Sequence, residues 1–185
     1  KDLTSSKDVI LYRKYDAAQG VTHCVASYSN VKESRTVGPN LALIKAFACV
    51  DGKDWQTSMV ENHDDFSMAN LIKTRDSRFE ASFYCKPTAT SKSSYLYPVK
   101  FIPRSALKYL DTPGGSPEVE YTSANNLNGY PVLRYAEVLL NWIEAKAELS
   151  TLGSGSVTQA DIDLSINKIR NRPLAQEAID RGVQK

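Results

Sequence analysis

The stretch from Pro131 to Leu149 constrains the fold more than any other part of the chain. Val132, Leu133, Ala136, Leu139, Leu140, Ile143 and Ala147 recur there at helical spacing, which lays a broad apolar stripe along one side of a helix. Arg134, Glu137, Asn141, Glu144 and Glu148 fall mostly on the other faces. Pro131 suits a first helical turn, because its missing N–H would have no partner there anyway. The spacing therefore predicts a helix over 131–149, a rod of about 28 Å. Ser150 to Ser156 break the pattern. Thr158, with Asp161 three residues on, then forms an acidic variant of the capping box. Ile162, Ile166 and Ile169 carry a helical register to Arg172, and Pro173 interrupts it. Two amphipathic helices joined by a short loop predict an antiparallel hairpin, the unit from which helical-repeat scaffolds are stacked.

Residues 1–130 read differently. Val9 to Tyr12 is a short strand-like run, and Asn40 to Cys49 fits a helix ended by the turn Asp51-Gly52. Phe79, Ala81 and Phe83 alternate with polar neighbours, as in a half-buried strand. From Pro87 to Asn128 serine, threonine, proline, glycine and asparagine dominate, interrupted by Tyr95-Leu96-Tyr97 and Val99 to Ile102. Long irregular loops of this kind tend to carry function. The expected architecture is mainly α, with long irregular loops and a few short strands. A loop-rich ligand-face segment (1–130) is followed by a helical hairpin (131–185), within one domain truncated at both ends.

Composition removes several classes of function. The 185 residues include 23 basic and 21 acidic side chains, a net charge of +2. No field arises that would favour polyphosphate, so a nucleic-acid role lacks electrostatic support. Cys24, Cys49 and Cys85 are widely spaced, without the close ligand pairs of a structural zinc site. The chain opens on Lys1-Asp2-Leu3-Thr4 without the pattern of a signal peptide, and no run approaches the ~20 apolar residues that span a bilayer.

Gly129 to Leu149, with its Arg134-Tyr135-Ala136-Glu137-Val138-Leu139-Leu140 centre, strongly resembles the C-terminal-half signature of the SusD/RagB family. Three weaker matches follow the family order: Glu33 to Phe47 leading into Asp51-Gly52, Thr74-Arg75-Asp76-Ser77-Arg78-Phe79, and Ser165 to Arg172. Ser77 stands where the family commonly has proline, and Trp142-Ile143 where it often has tyrosine-alanine. The resemblance implies a mostly helical fold with tetratricopeptide-like hairpins packed against a SusC-like TonB-dependent transporter, and a looped face that binds nutrient. It further implies the extracellular side of the bacterial outer membrane, reached through a lipid anchor outside this chain. The expected function is capture of an oligosaccharide for delivery to the transporter. The alternatives are capture of peptides, or a helical-repeat adaptor that binds other proteins and no small ligand.

Glycan binding needs flat aromatic faces and a few polar groups that fix orientation. The loop-rich part offers Tyr12, Tyr15, His23, Tyr28, Arg35, Trp55, Tyr95 and Tyr97. Of these His23, Tyr28, Arg35 and Trp55 are the expected ligand-binding residues, set against the plainer reading that such side chains pack loops onto helices. No catalytic residue, cofactor or metal site is expected. His63-Asp64-Asp65 reads as a polar turn, Arg75-Asp76-Ser77-Arg78 as a charge-assisted network anchoring a turn, and the two Ser-x-x-Lys occurrences as chance, since companion motifs are missing.

Overall fold

The computed structural model of the chain describes residues 3–28, 38–84, 96–100, 102–111 and 114–184; the side chains of Tyr28, Tyr84, Tyr97, Ser105, Leu110 and Asp111 are outside that description. The fold is mainly helical with little strand. In chain order come β1 (Val9–Arg13), α1 (Val25–Tyr28), α2 (Leu41–Ala46), α3 (Met68–Thr74), α4 (Arg78–Ser82), β2 (Phe83–Tyr84) and β3 (Tyr97–Pro98). They are followed by β4 (Tyr130–Arg134), α5 (Tyr135–Thr151), α6 (Gln159–Ile162), α7 (Lys168–Arg170) and α8 (Gln176–Asp180). Two compact units emerge, each discontinuous in sequence: Lys1–Lys14 with Gly129–Pro173, and Tyr15–Asn128 with Leu174–Lys185.

In the first unit β1 and β4 pair antiparallel, in a register that sets Val9 against Arg134 and Arg13 against Tyr130. The long helix therefore starts at Tyr135, four residues later than the apolar spacing predicts. Two causes act together. Tyr130 precedes a proline, which pushes its backbone to the extended region, and β1 supplies a strand for 130–134 to pair with. A proline is tolerated in so narrow a ribbon because its missing N–H can face an open edge. The first N–H of α5, on Tyr135, is accepted by the Asp8 carbonyl at 2.8 Å.

Helix α5 runs through Thr151 and ends in a Schellman cap. Gly153 takes φ +81°, while Ser154 and Gly153 donate to the Leu149 and Ser150 carbonyls. The linker glycine is thus a helix terminator. The return helix starts at the expected capping box: Asp161 N–H donates to Thr158 Oγ1, and Thr158 N–H to Asp161 Oδ2 at 2.8 Å. Between α6 and α7, Asp163–Asn167 forms a π turn with Ser165 fully buried and its hydroxyl bonded to the Asp161 carbonyl. The two helices are antiparallel: Lys146 pairs with Asp161 at 2.6 Å, and Lys168 lies 5.3 Å over the Tyr135 ring. Of the expected stripe, Ala136 and Ile143 are buried, Leu133 and Leu139 half-buried, and Val132, Leu140 and Ala147 exposed.

The second unit is organised around Ile44, Met68, Leu71, Phe79, Phe83 and Leu96, with Phe47, Phe66 and Ile72 packed on them. Phe47 meets Phe79 edge-on at 5.3 Å, and Phe79 lies 5.2 Å from Phe83. Phe79 belongs to α4 and not to a strand, as alternation predicts; only Phe83 lies in β2. The two phenylalanines are four apart, which puts them on one side in either period, and Ala81, which would share that side only in a strand, is exposed. Glu80, 2% exposed, accepts a bidentate pair from Arg104 at 2.6 and 2.7 Å and a further bond from Arg181 at 3.0 Å. Arg181 follows α8, whose Ala178 is buried and whose end is a second Schellman cap at Gly182. The serine-rich region contains 3₁₀ turns at Arg104–Asp111 and Val119–Tyr121, and β3, which pairs with β2.

Candidate functional site

Residues 48–66 form a loop of the second unit held together by many internal hydrogen bonds. Ala48 to Val50 zip against Thr74 to Asp76: Asp76 N–H donates to the Ala48 carbonyl and Val50 N–H to the Thr74 carbonyl. Gly52 turns the chain at φ +80°. Asp51 then holds the returning strand of the loop, accepting from Lys53 N–H, Ser58 hydroxyl and Met59 N–H. Asp54 accepts from the Gln56 and Thr57 amides and from the Thr57 hydroxyl. Asp65 accepts from Ser67 N–H and the Asn70 side-chain amide. These donors hold all three carboxyls below the usual carboxylate range. The leading cause is the Met59 amide for Asp51, the Thr57 hydroxyl for Asp54 and the Ser67 amide for Asp65. His63 Nδ1–H donates to the Trp55 carbonyl at 2.7 Å, so this ring braces the loop from inside the expected polar turn.

Arg75 lies at the base of this loop, fully buried. Its guanidinium donates to the His63 carbonyl at 2.9 Å, Thr74 Oγ1 at 3.0 Å and Cys49 Sγ at 3.4 Å, all neutral acceptors, while among the described residues Nε has no partner. The expected network divides in two. Arg78 grips Asp76 through Nε and Nη2 at 2.7 and 3.0 Å, and Arg75 works separately on the loop.

Above this base four side chains form a stack. Arg75 Cζ lies 5.2 Å from the Phe66 ring, Phe66 meets Trp55 edge-on at 5.4 Å, and Lys45 Nζ lies 4.7 Å over Trp55 and 5.8 Å from Phe66. Trp55, Phe66 and Lys45 are each half-buried. Trp55 is thus packed against Phe66 and Lys45 while part of its side chain stays exposed. Lys45 reaches the ring from α2, whose start is fixed by the Asn40 side chain capping Leu43 N–H at 2.8 Å. Nothing in the sequence marks Lys45, because it stands in an ordinary amphipathic helix and meets Trp55 only through the fold.

His23 occupies a different place in the same unit. Its backbone pairs in both directions with Asn126, at 3.1 and 3.0 Å. Nδ1 accepts from Val25 N–H at 3.2 Å, which leaves the proton on Nε2 to donate to the Asn128 carbonyl at 3.0 Å. Tyr15 lies against the ring at 4.4 Å. Both ring nitrogens are engaged in joining residues 23–25 to residues 126–128. Tyr28 ends α1, but its side chain, like the whole of Arg35 and Tyr95, lies outside the described residues. An open hollow in the same unit, lined by Ala26, Ile102, Ala106, Leu107, Tyr109 and Tyr121 among others, is not announced by the sequence. Burial raises the Tyr121 hydroxyl above its ordinary value. Among the described residues no group of three or more His, Cys, Asp or Glu side chains is placed to hold a metal.

Compared with family models, the chain matches that of the SusD family over residues 7–178. The chain belongs to the SusD family. No curated protein and no solved structure matches it. SusD family members are binding proteins, associated in general with nutrient and glycan binding at the outer membrane. Among the described residues no helix of this family member is long and apolar enough to cross a membrane.

Proposed function

We propose that the chain captures oligosaccharide at the extracellular face of the outer membrane and hands it to a SusC-like TonB-dependent transporter. The family match over residues 7–178 carries this reading. The division of labour follows the chemistry of the two units. The first is an antiparallel helical pair of the kind that stacks into tetratricopeptide-like scaffolds, with Val138, Trp142 and Leu149 exposed on α5. The second carries the loops and the half-buried indole of Trp55 braced by Phe66. A braced indole suits sugar recognition, because the C–H face of a pyranose stacks on it at little cost in side-chain ordering.

His23, Tyr28, Arg35 and Trp55 are the proposed ligand-binding residues, and the stack favours Trp55 as the principal contact. The engaged ring nitrogens of His23 suit a supporting part, holding residues 126–128 in position. Isothermal titration of the protein against a panel of neutral and acidic oligosaccharides, with a peptide panel beside it, tests the reading. Saturable binding of one glycan class, lost in Trp55→Ala, is expected. Binding of peptides alone moves the protein to a protein-nutrient role, and no binding of either class rejects nutrient capture.

A further inference from the structure

Among the described residues, the stack around Trp55 holds two cations and no carboxylate paired with either. Lys45 sets its ammonium 4.7 Å from the indole centroid, and Arg75 Cζ lies 5.2 Å from the Phe66 ring. Ring faces attract these cations, but a π face leaves the N–H donors of an ammonium without an oxygen acceptor. Among the described residues no hydrogen bond or ion pair is made by the Lys45 ammonium, and Arg75 is bonded only to neutral acceptors. Three aspartates, 51, 54 and 65, belong to the same loop. Asp51 and Asp65 spend both oxygens on nearby amides and hydroxyls and Asp54 takes three such donors on Oδ1, and among the described residues no ion pair joins any of the three to Lys45.

We infer that Lys45 and Trp55 together form a subsite for an anionic sugar, a unit bearing a carboxylate or a sulfate. The inference rests on the glycan-capture reading and narrows it. The ammonium covers part of the indole at 4.7 Å, so a pyranose that stacks there moves it on its flexible stem from the ring to the sugar's edge, where its N–H donors meet a ring substituent. A neutral sugar needs the indole and gains little from Lys45. An acidic sugar gains a charge-assisted bond to a half-buried donor, the stronger kind of hydrogen bond. Phe66 and Arg75 act as positioning residues, fixing the tilt of the indole.

Titration calorimetry of the full chain with a short oligogalacturonide, a sulfated galactan oligomer and a neutral galactan oligomer tests the subsite. At low ionic strength at least one acidic oligomer is expected to bind about tenfold more tightly than the neutral one, and added salt is expected to erode the difference. Lys45→Gln should bring the acidic oligomers down to the affinity of the neutral one, and Lys45→Arg should keep the preference. Trp55→Ala should weaken binding of every oligomer, with Trp55→Phe as the variant that preserves the packing on Phe66. The anion that binds, uronate or sulfate, identifies the source. Equal affinity for acidic and neutral oligomers, or a preference that survives in Lys45→Gln, overturns the subsite and leaves glycan capture standing. No binding of any glycan overturns both.

Discussion

The Glu80 cluster should respond asymmetrically to the loss of one partner or the other. The Glu80 side chain is 2% exposed, whereas the side chains of Arg104 and Arg181 are 35% and 40% exposed. In Arg104→Met the carboxylate stays buried with one arginine, and Oε2, which accepted from Nη2 at 2.7 Å, loses that donor. An orphaned buried acceptor costs about 1–3 kcal/mol, and a charged one falls toward the upper end, so about 2–3 kcal/mol is expected. In Glu80→Met the two arginines lose their acceptor but can turn to water, and exposed pairs contribute about 0–1 kcal/mol each. A cost near 1 kcal/mol is expected, with the methionine packing beside Phe79. The double variant should then resemble Glu80→Met alone, giving a coupling of about 2–3 kcal/mol. Urea and thermal unfolding of the four proteins, followed by circular dichroism, would measure this. The Arg104→Met midpoint should fall by about 5–10 °C for a chain of this size. If Glu80→Met proves the more damaging single change, or if the two changes simply add, solvent exposure is not what apportions the cost.

The hairpin should be acid-sensitive through Asp161, which Lys146 first and Thr158 second hold down at about 2. A carboxyl depressed on folding contributes stability that is complete above the ordinary carboxylate range and disappears as pH falls through about 2. Asp161→Asn should flatten helix-detected stability over that window, and an unchanged pH profile would count against the assignment. Replacing His23 by Phe removes both ring bonds, to Val25 N–H and to the Asn128 carbonyl, for an expected cost of about 1–3 kcal/mol; a neutral melt in this variant would show the ring to be dispensable to the fold. Phe79→Ala empties a fully buried position and should cost about 3–5 kcal/mol in equilibrium unfolding, more than any surface change in the second unit.

Local signals survived folding where one segment contained the whole interaction. The Thr158–Asp161 capping box formed as read, because both partners lie within a single turn. The Asp51-Gly52 turn formed too, although α2 already ends at Ala46, and the strand run at Val9 was legible while its partner β4 was not. Signals that needed a distant partner were misread. The apolar run at 130–134 fits a helix until β1 is present to pair with it, and Phe79 with Phe83 satisfies both the helical and the strand period, so spacing could not separate them. Trp55 was legible as an aromatic in a loop, but its environment was not.

From sequence alone came the helical class, the hairpin with its cap, the family and the shortlist of aromatics, since these depend on short-range periodicity and residue chemistry. Tertiary structure decided which stretches pair across more than a hundred residues, as β1 with β4 and His23 with Asn126 do. It also brought Lys45 onto Trp55 and left Arg75 buried without a carboxylate. Side-chain environment arises from chain segments meeting in space, and a linear pattern carries no record of which segments meet.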